Sequence, residues 1–133
     1  MKFKTLKQKV KFKAEPDELY AVLLSSKAHS RLTGNKAKIS SKVGGKFSAY
    51  DGWIQGKNLK LVKNKKIVQS WKGNDEEWPK NHFSKVTFLF KKAKDGTILN
   101  FTHSGIPLDW FNDIKKGWAE YYWNPLKKYL KKK

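Results

Sequence analysis

Three histidines, His29, His82 and His103, are the imidazoles of this 133-residue chain, and imidazole ordinarily titrates at a pKa of about 6.5, where it can move protons or bind metals near neutrality. No two of them stand at the spacing that aligns two ligands on one helical face, so no metal site is expected. The chain has no cysteine, which removes disulfides, thiolate zinc sites, iron–sulfur clusters and a cysteine nucleophile. Ser25, Ser26, Ser70, Ser84 and Ser104 occur without a nucleophile elbow or a recognisable order of serine, histidine and acid. The pairs Gly44-Gly45 and Asp51-Gly52 read as hairpin turns, because a phosphate-binding loop would lead into a helix carrying Lys and Ser or Thr at fixed spacing. No catalytic residue is assigned, and no cofactor is implied.

Binding chemistry has stronger candidates. His103 continues the alternation Leu99, Phe101, His103, which places its imidazole on the face that a sheet would turn towards a covering helix. It is either a core histidine bonded to a neighbour or a polar group that orients a ligand or serves as acid or base. Gln69 shares the parity of Ile67 and Trp71, and Gln55 follows Trp53, so both are candidate polar anchors. Around them stand Trp53, Trp71, Phe88, Phe101, Trp110, Ile114, Trp118 and Tyr122. Rings of this size either fill a core or wall a cavity, and indole and phenol groups require polar partners when buried. The expected occupant is an apolar or aromatic small molecule, held at about 25 cal/mol per Å² of apolar surface removed from water, with one or two polar anchors.

The elements that must position these residues follow from periodicity. From Lys2 to Lys13, Leu6, Val10 and Phe12 alternate with lysines, the period of a half-buried strand with a charged edge. Pro16 suits a first helical turn, Asp17 and Glu18 follow it, and Leu19, Val22 and Leu23 share a face. Ser26 to Leu32 adds a second short helix, stopped by Gly34 in a left-handed conformation. Ala37–Ser40, Lys46–Tyr50, Trp53–Leu61 and Ile67–Lys72 then read as short strands separated by turn residues. After a loop around Asp75-Glu76-Glu77-Trp78-Pro79, Ser84–Lys94 and Thr97–Ser104 form a hairpin turned by Asp95-Gly96. Pro107 to Lys128 spaces Trp110, Ile114, Trp118 and Tyr122 at helical intervals, with Phe111 and Tyr121 widening the stripe. Close packing is expected at Gly117 and a kink before Pro125. The lysines from Lys127 to Lys133 complement the helix C-terminus and run into a frayed tail. This order predicts an α+β domain over residues 1–133, in which a curved antiparallel sheet wraps a long C-terminal helix and leaves a cavity between them.

Charge tells less than it first suggests. The formal net charge is +19, from 30 basic and 11 acidic residues, yet 14% of the chain is aromatic, which is the profile of a folded basic domain and not of a disordered tail. Arg31 is the one arginine. Sequence-specific nucleic-acid readers favour the planar arginine fork, so only nonspecific, salt-labile association with nucleic acid is expected. No window approaches the roughly 20 apolar residues of a membrane span, and the N-terminus lacks an apolar stretch of signal-peptide length, so a cytoplasmic location is expected.

Six runs carry a family resemblance: Leu32-Thr33-Gly34, Val43 to Ser48, Asp51 to Gly56, Ile67 to Trp71, Thr102 to Pro107 and Gly117 to Trp123. In this order and spacing the chain resembles the C-terminal domain of the activator of heat-shock protein 90 ATPase. The resemblance implies the START-like, helix-grip fold, also called SRPBCC, whose members include lipid and sterol carriers, hormone receptors and polyketide cyclases. It also implies a second class of function, a co-chaperone-like contact with heat-shock protein 90 or another acidic partner. Salt separates the two readings, since charge-steered contact weakens steeply between about 50 and 200 mM while apolar binding barely changes.

Overall fold

A computed structural model describes residues 2–34 and 36–131. β1 (Phe3–Phe12) buries Leu6 and Phe12 and points its lysines to solvent, as its alternation requires. Pro16 opens α1 (Pro16–Leu23), with Asp17 and Glu18 in the first turn and Leu19, Val22 and Leu23 buried. The backbone N–H of Ala28 donates to Ser25 Oγ at 3.1 Å, which caps α2 (Ser26–Thr33). Gly34 ends that helix at φ 74°, where a residue with a Cβ would be strained.

Six further strands follow: β2 (Lys38–Ile39), β3 (Lys46–Ala49), β4 (Ile54–Val62), β5 (Lys66–Gly73), β6 (Ser84–Ala93) and β7 (Gly96–Pro107). They form one antiparallel sheet in the order β1-β7-β6-β5-β4-β3-β2. The chain therefore runs as a meander from β2 to β7, and the α1–α2 connection carries β1 to the far edge beside β7. Lysine-rich β1 is an edge strand, where such charges discourage further pairing. Asp95 and Gly96, at φ 62° and 155°, make the β6–β7 turn as their types predict.

Among the differences from the sequence reading, β7 runs on to Pro107 where Ser104 was expected to end it, and two others bear on the site. The strand expected to run through Tyr50 stops at Ala49, because Tyr50 and Asp51 adopt positive φ values of 50° and 56°. Asp51 holds that turn twice: its N–H donates to the Lys36 carbonyl at 3.0 Å, and its Oδ1 accepts from the Lys36 N–H at 2.9 Å. The uniform C-terminal helix is broken into a 3₁₀ turn (Leu108–Trp110), α3 (Phe111–Gly117), a π-helical segment (Trp118–Trp123) and α4 (Asn124–Lys131). Pro125 lacks the N–H that would bond the Tyr121 carbonyl one turn back, and the helix responds by widening before it. The Tyr50 hydroxyl donates to that Tyr121 carbonyl instead. Within the widened turn two successive residues, Tyr122 and Trp123, are both buried. The expected frayed tail at Lys132 and Lys133 lies outside the described residues.

The helical segment packs on the curved sheet through rings. Trp118 lies 4.5 Å from Phe101 and 6.1 Å from Phe88, and Trp123 lies 5.0 Å from Phe101 and 6.2 Å from Phe12. One core runs between them, with Leu19, Ile67, Val86, Leu99, Ile106 and Leu126 fully buried. The architecture is α+β and of the helix-grip type.

Candidate ligand cleft and buried histidine

β4 and β5 meet the C-terminal helical segment unevenly. Where they diverge they leave a cleft of about 360 Å³. From the sheet side it is walled by Trp53, Ile54 and Trp71, and Tyr50 closes the turn between β3 and β4. From the helical side two adjacent columns face it. Trp110, Ile114, Trp118 and Tyr122 form one, and Asp113, Gly117 and Tyr121 the other, each stepping four residues at a time. Gly117 was expected to mark close helix packing; instead a Cβ there would meet only Tyr121 Cδ2, at 3.7 Å, an ordinary contact. Its missing side chain opens the cleft.

The rings brace one another. Trp53 lies 6.1 Å from Trp110 and 6.0 Å from Trp71, near edge-to-face in the second case, and Tyr50 stands 5.8 Å from both Tyr121 and Tyr122. Trp78, from the loop before β6, is buried behind them against Trp71 and Trp110, and its indole N–H donates to the His82 carbonyl at 2.9 Å. Burial, reinforced by Tyr121, pushes the Tyr50 phenol up to about 12, so it remains a donor at neutral pH. Burial, with Tyr50 beside it, raises the Tyr122 phenol as well. Among the described residues that line the cleft Asp113 is the one of a charged type, and the surface they present to it is almost wholly apolar.

His103 does not reach this cleft. It is 0% exposed and belongs to a directed hydrogen-bond chain beneath it. The Trp118 indole can only donate, and it lies 3.0 Å from His103 Nδ1, so Nδ1 accepts and the ring proton sits on Nε2. Nε2–H then donates to Ser84 Oγ at 2.7 Å, and the Ser84 hydroxyl donates to the Trp71 carbonyl at 3.0 Å. Both ring nitrogens are used, and burial lowers the pKa to about 3, so the imidazole is neutral throughout the physiological range. Of the two sequence readings, this geometry is that of a core histidine.

The other candidates divide likewise. Trp53, Trp71, Trp110, Ile114, Trp118 and Tyr122 are brought together around the cleft. Phe88 and Phe101 are buried in the core 5.2 Å apart. Gln69 is buried and donates from Nε2 to Asn58 Oδ1 at 3.0 Å, and Asn58 Nδ2 donates to the carbonyls of Ser40 and Lys42 at 2.7 and 3.0 Å. That network pins the β2–β3 loop, and Gln69 is not among the residues lining the cleft. Gln55 is exposed on the opposite parity of β4 and donates to the Gly52 carbonyl at 3.2 Å. Among the cleft residues, Tyr50, Ile54, Asp113, Gly117 and Tyr121 were not candidates. The four-residue column through Asp113, Gly117 and Tyr121, flanking the aromatic stripe, was the available signal. Among the described residues no cluster of three potential metal ligands occurs, and no helix is long and apolar enough to cross a membrane.

Comparison with known proteins points one way. The family described as "Activator of Hsp90 ATPase homolog 1-like protein" matches residues 13–131. The chain is 36% identical over 116 residues to an activator of 90 kDa heat shock protein ATPase homolog from Dictyostelium discoideum, covering 86% of this chain and 30% of that protein. It is 32% identical to the human homolog 1, covering 87% of this chain and 34% of that one. The chain thus spans about a third of the length of these relatives. Among solved structures, an HSP90 activator from Plasmodium falciparum superposes with a TM-score of 0.83 at 29% identity, covering 90% of this chain and 91% of that one. A Mesorhizobium loti protein at 21% identity shares the fold with a TM-score of 0.84. With the profile spanning nearly the whole sequence and the helix-grip architecture present, this chain belongs to the activator of Hsp90 ATPase homolog 1-like family.

Proposed function

We propose that this domain is a co-chaperone module that contacts heat-shock protein 90 and promotes its ATP turnover. The observation that carries the reading is the correspondence with the Plasmodium HSP90 activator, 29% identical and matched over 91% of the solved chain. A net charge of +19 suits an acidic partner, since a field of that sign steers encounter with acidic surfaces. One depression of the sheet is lined by Lys38, Lys46 and Lys57 together with Phe47, Gln55 and the half-exposed Phe83. The test is ATP turnover by the heat-shock protein 90 of the same organism, with and without this chain, at about 50 and 200 mM salt. Stimulation at low salt, weakened at high salt and in a Lys38→Glu/Lys46→Glu/Lys57→Glu variant, is expected. Absence of both stimulation and binding at low salt overturns the reading.

A second reading rests on the cleft. Its volume of about 360 Å³ and aromatic walls suit a small molecule held mainly by burial. Native mass spectrometry and thermal-shift screening test it directly, and apolar binding there is expected to be indifferent to salt. Nonspecific nucleic-acid association has no comparable support. A cytoplasmic location is proposed, consistent with action on a cytoplasmic chaperone.

A further inference from the structure

All 11 acidic residues lie in helices, turns and loops and none in a strand, whereas every strand except β7 carries lysine. No carboxylate therefore stands among the strand lysines. On β7, Leu99, Phe101 and His103 are buried on the side of the helical segment, so Ile98, Asn100 and Thr102 point to the opposite, outer face of the sheet.

The strand register arranges that outer face in rows. Lys7 stands in line with Thr102, Thr87, Val68 and Lys60. The next row runs Lys9, Asn100, Leu89 and Lys66, and the one after it Lys11, Ile98 and Lys91. Each row has lysine at both ends and uncharged residues between. In that central strip Leu89 is 45% exposed, and Val68, although buried, lies outside the core cluster.

Among the described residues none of these lysines makes an ion pair; the salt bridge found joins Lys92 to Glu15. Lys46 stands directly opposite Lys57, and like charges in that position destabilise a sheet unless something neutralises them. Protection of an edge strand accounts for the lysines of β1 but not for Lys60, Lys66 and Lys91 on inner strands. The dimensions suit a protein partner. Strands stand about 4.8 Å apart and rise about 3.3 Å per residue, so β1, β7, β6, β5 and β4 together offer roughly 24 by 30 Å. That area, roughly 700 Å², is close to the ~800 Å² each partner buries in a stable contact, where an uncharged centre lies within a polar rim. A phosphate backbone would instead call for a continuous track of cations, and the central strip has none.

We infer that the outer face of the sheet, from β1 across to β4, is the surface by which this domain docks on its partner, and that the partner presents an uncharged patch of a folded domain ringed by carboxylates. This rests on the co-chaperone reading above and adds the surface used. The depression lined by Lys38, Lys46 and Lys57 continues the same face towards β2.

The test measures binding to the heat-shock protein 90 of the same organism by calorimetry, with two variants of equal net charge. Lys7→Glu/Lys60→Glu reverses both ends of one row, and Lys115→Glu/Lys116→Glu reverses two lysines of α3; all four are exposed, and unchanged thermal unfolding checks that both variants fold. The first variant is expected to weaken binding about tenfold and the second less than about twofold. Leu89→Ser is expected to weaken it to the same degree at about 50 and 200 mM salt. In the unaltered chain, carbodiimide coupling of lysine amines to the partner's carboxylates is expected to join Lys7, Lys9, Lys60 and Lys66. Equal weakening by the two charge variants, or coupling confined to lysines of the helices, overturns the inference and leaves the co-chaperone reading standing. Duplex DNA that binds more tightly than the chaperone, and loses affinity only in Lys7→Glu/Lys60→Glu, assigns the face to nucleic acid and also overturns it. Absence of binding by the unaltered chain at about 50 mM salt overturns the inference and the co-chaperone reading together.

Discussion

Acid should unfold this protein earlier than its exposed carboxylates would, because two imidazoles are buried in neutral form. Burial lowers the pKa of His103 to about 3 and that of His29 to about 4, against about 6.5 in the unfolded chain. The unfolded state therefore binds more protons than the native state between those values, and stability rises with pH across that window. The contribution is fully present above pH 6.5, is lost as pH falls, and stops changing once the native groups themselves protonate. At pH 5 both native rings are still neutral while the unfolded ones are mostly charged, so each costs about 2 kcal/mol relative to pH 8. Together they remove about 4 kcal/mol, a large share of the stability of a domain of this size. Carboxylates ordinarily titrate near pH 4, below the interval used. Urea unfolding followed by tryptophan fluorescence at pH 8 and pH 5 measures the difference. His103→Gln keeps an acceptor for the Trp118 indole and a donor for Ser84 but cannot titrate, so its own loss between the two pH values should be about half that of the parent. A parent that loses less than about 1 kcal/mol, or a variant that loses as much as the parent, refutes the assignment of a neutral, hydrogen-bonded His103.

Three substitutions probe the rest of the geometry. Tyr50→Phe removes the hydroxyl that serves the Tyr121 carbonyl opposite Pro125 and should cost about 1 kcal/mol in urea unfolding, with thermal unfolding shifted to match. Asn58→Ala strands the Gln69 amide and the carbonyls of Ser40 and Lys42; a loss of about 2–3 kcal/mol is expected, with hydrogen exchange accelerated first in the β2–β3 loop. Gly117→Ala adds a methyl group where only Tyr121 lies near, at 3.7 Å, and should stabilise by about 0.5–1 kcal/mol in the same assay while narrowing the cleft.

The amino-acid pattern by itself determined the elements and their order. Alternation of lysine with Leu6, Val10 and Phe12 specified an edge strand, Pro16 and Gly34 bounded the two short helices, and Asp95-Gly96 turned the long hairpin. These features are local, since period, φ preference and missing donors act within a few residues. The aromatic columns of the C-terminal segment likewise announced which side of the helix meets the sheet.

Depth along each face was a different matter, because parity names a face but not the level at which a side chain meets its neighbours. Leu99, Phe101 and His103 do share one face, yet His103 is a core residue because Trp118 and Ser84, from two other elements, arrive within hydrogen-bond distance of its two nitrogens. Gln69 has the parity of Trp71 but meets Asn58 across the sheet, whereas Trp71 reaches the cleft. Pro125 marked a break, but the form of that break depended on a partner from far earlier in the chain, the Tyr50 hydroxyl held at a positive-φ turn. The cleft itself is what imperfect closure between helix and sheet leaves open, with Gly117 leaving space. Such a volume is fixed only when every wall is in place, so only the tertiary structure decided which aromatic rings fill the core and which remain available to a ligand.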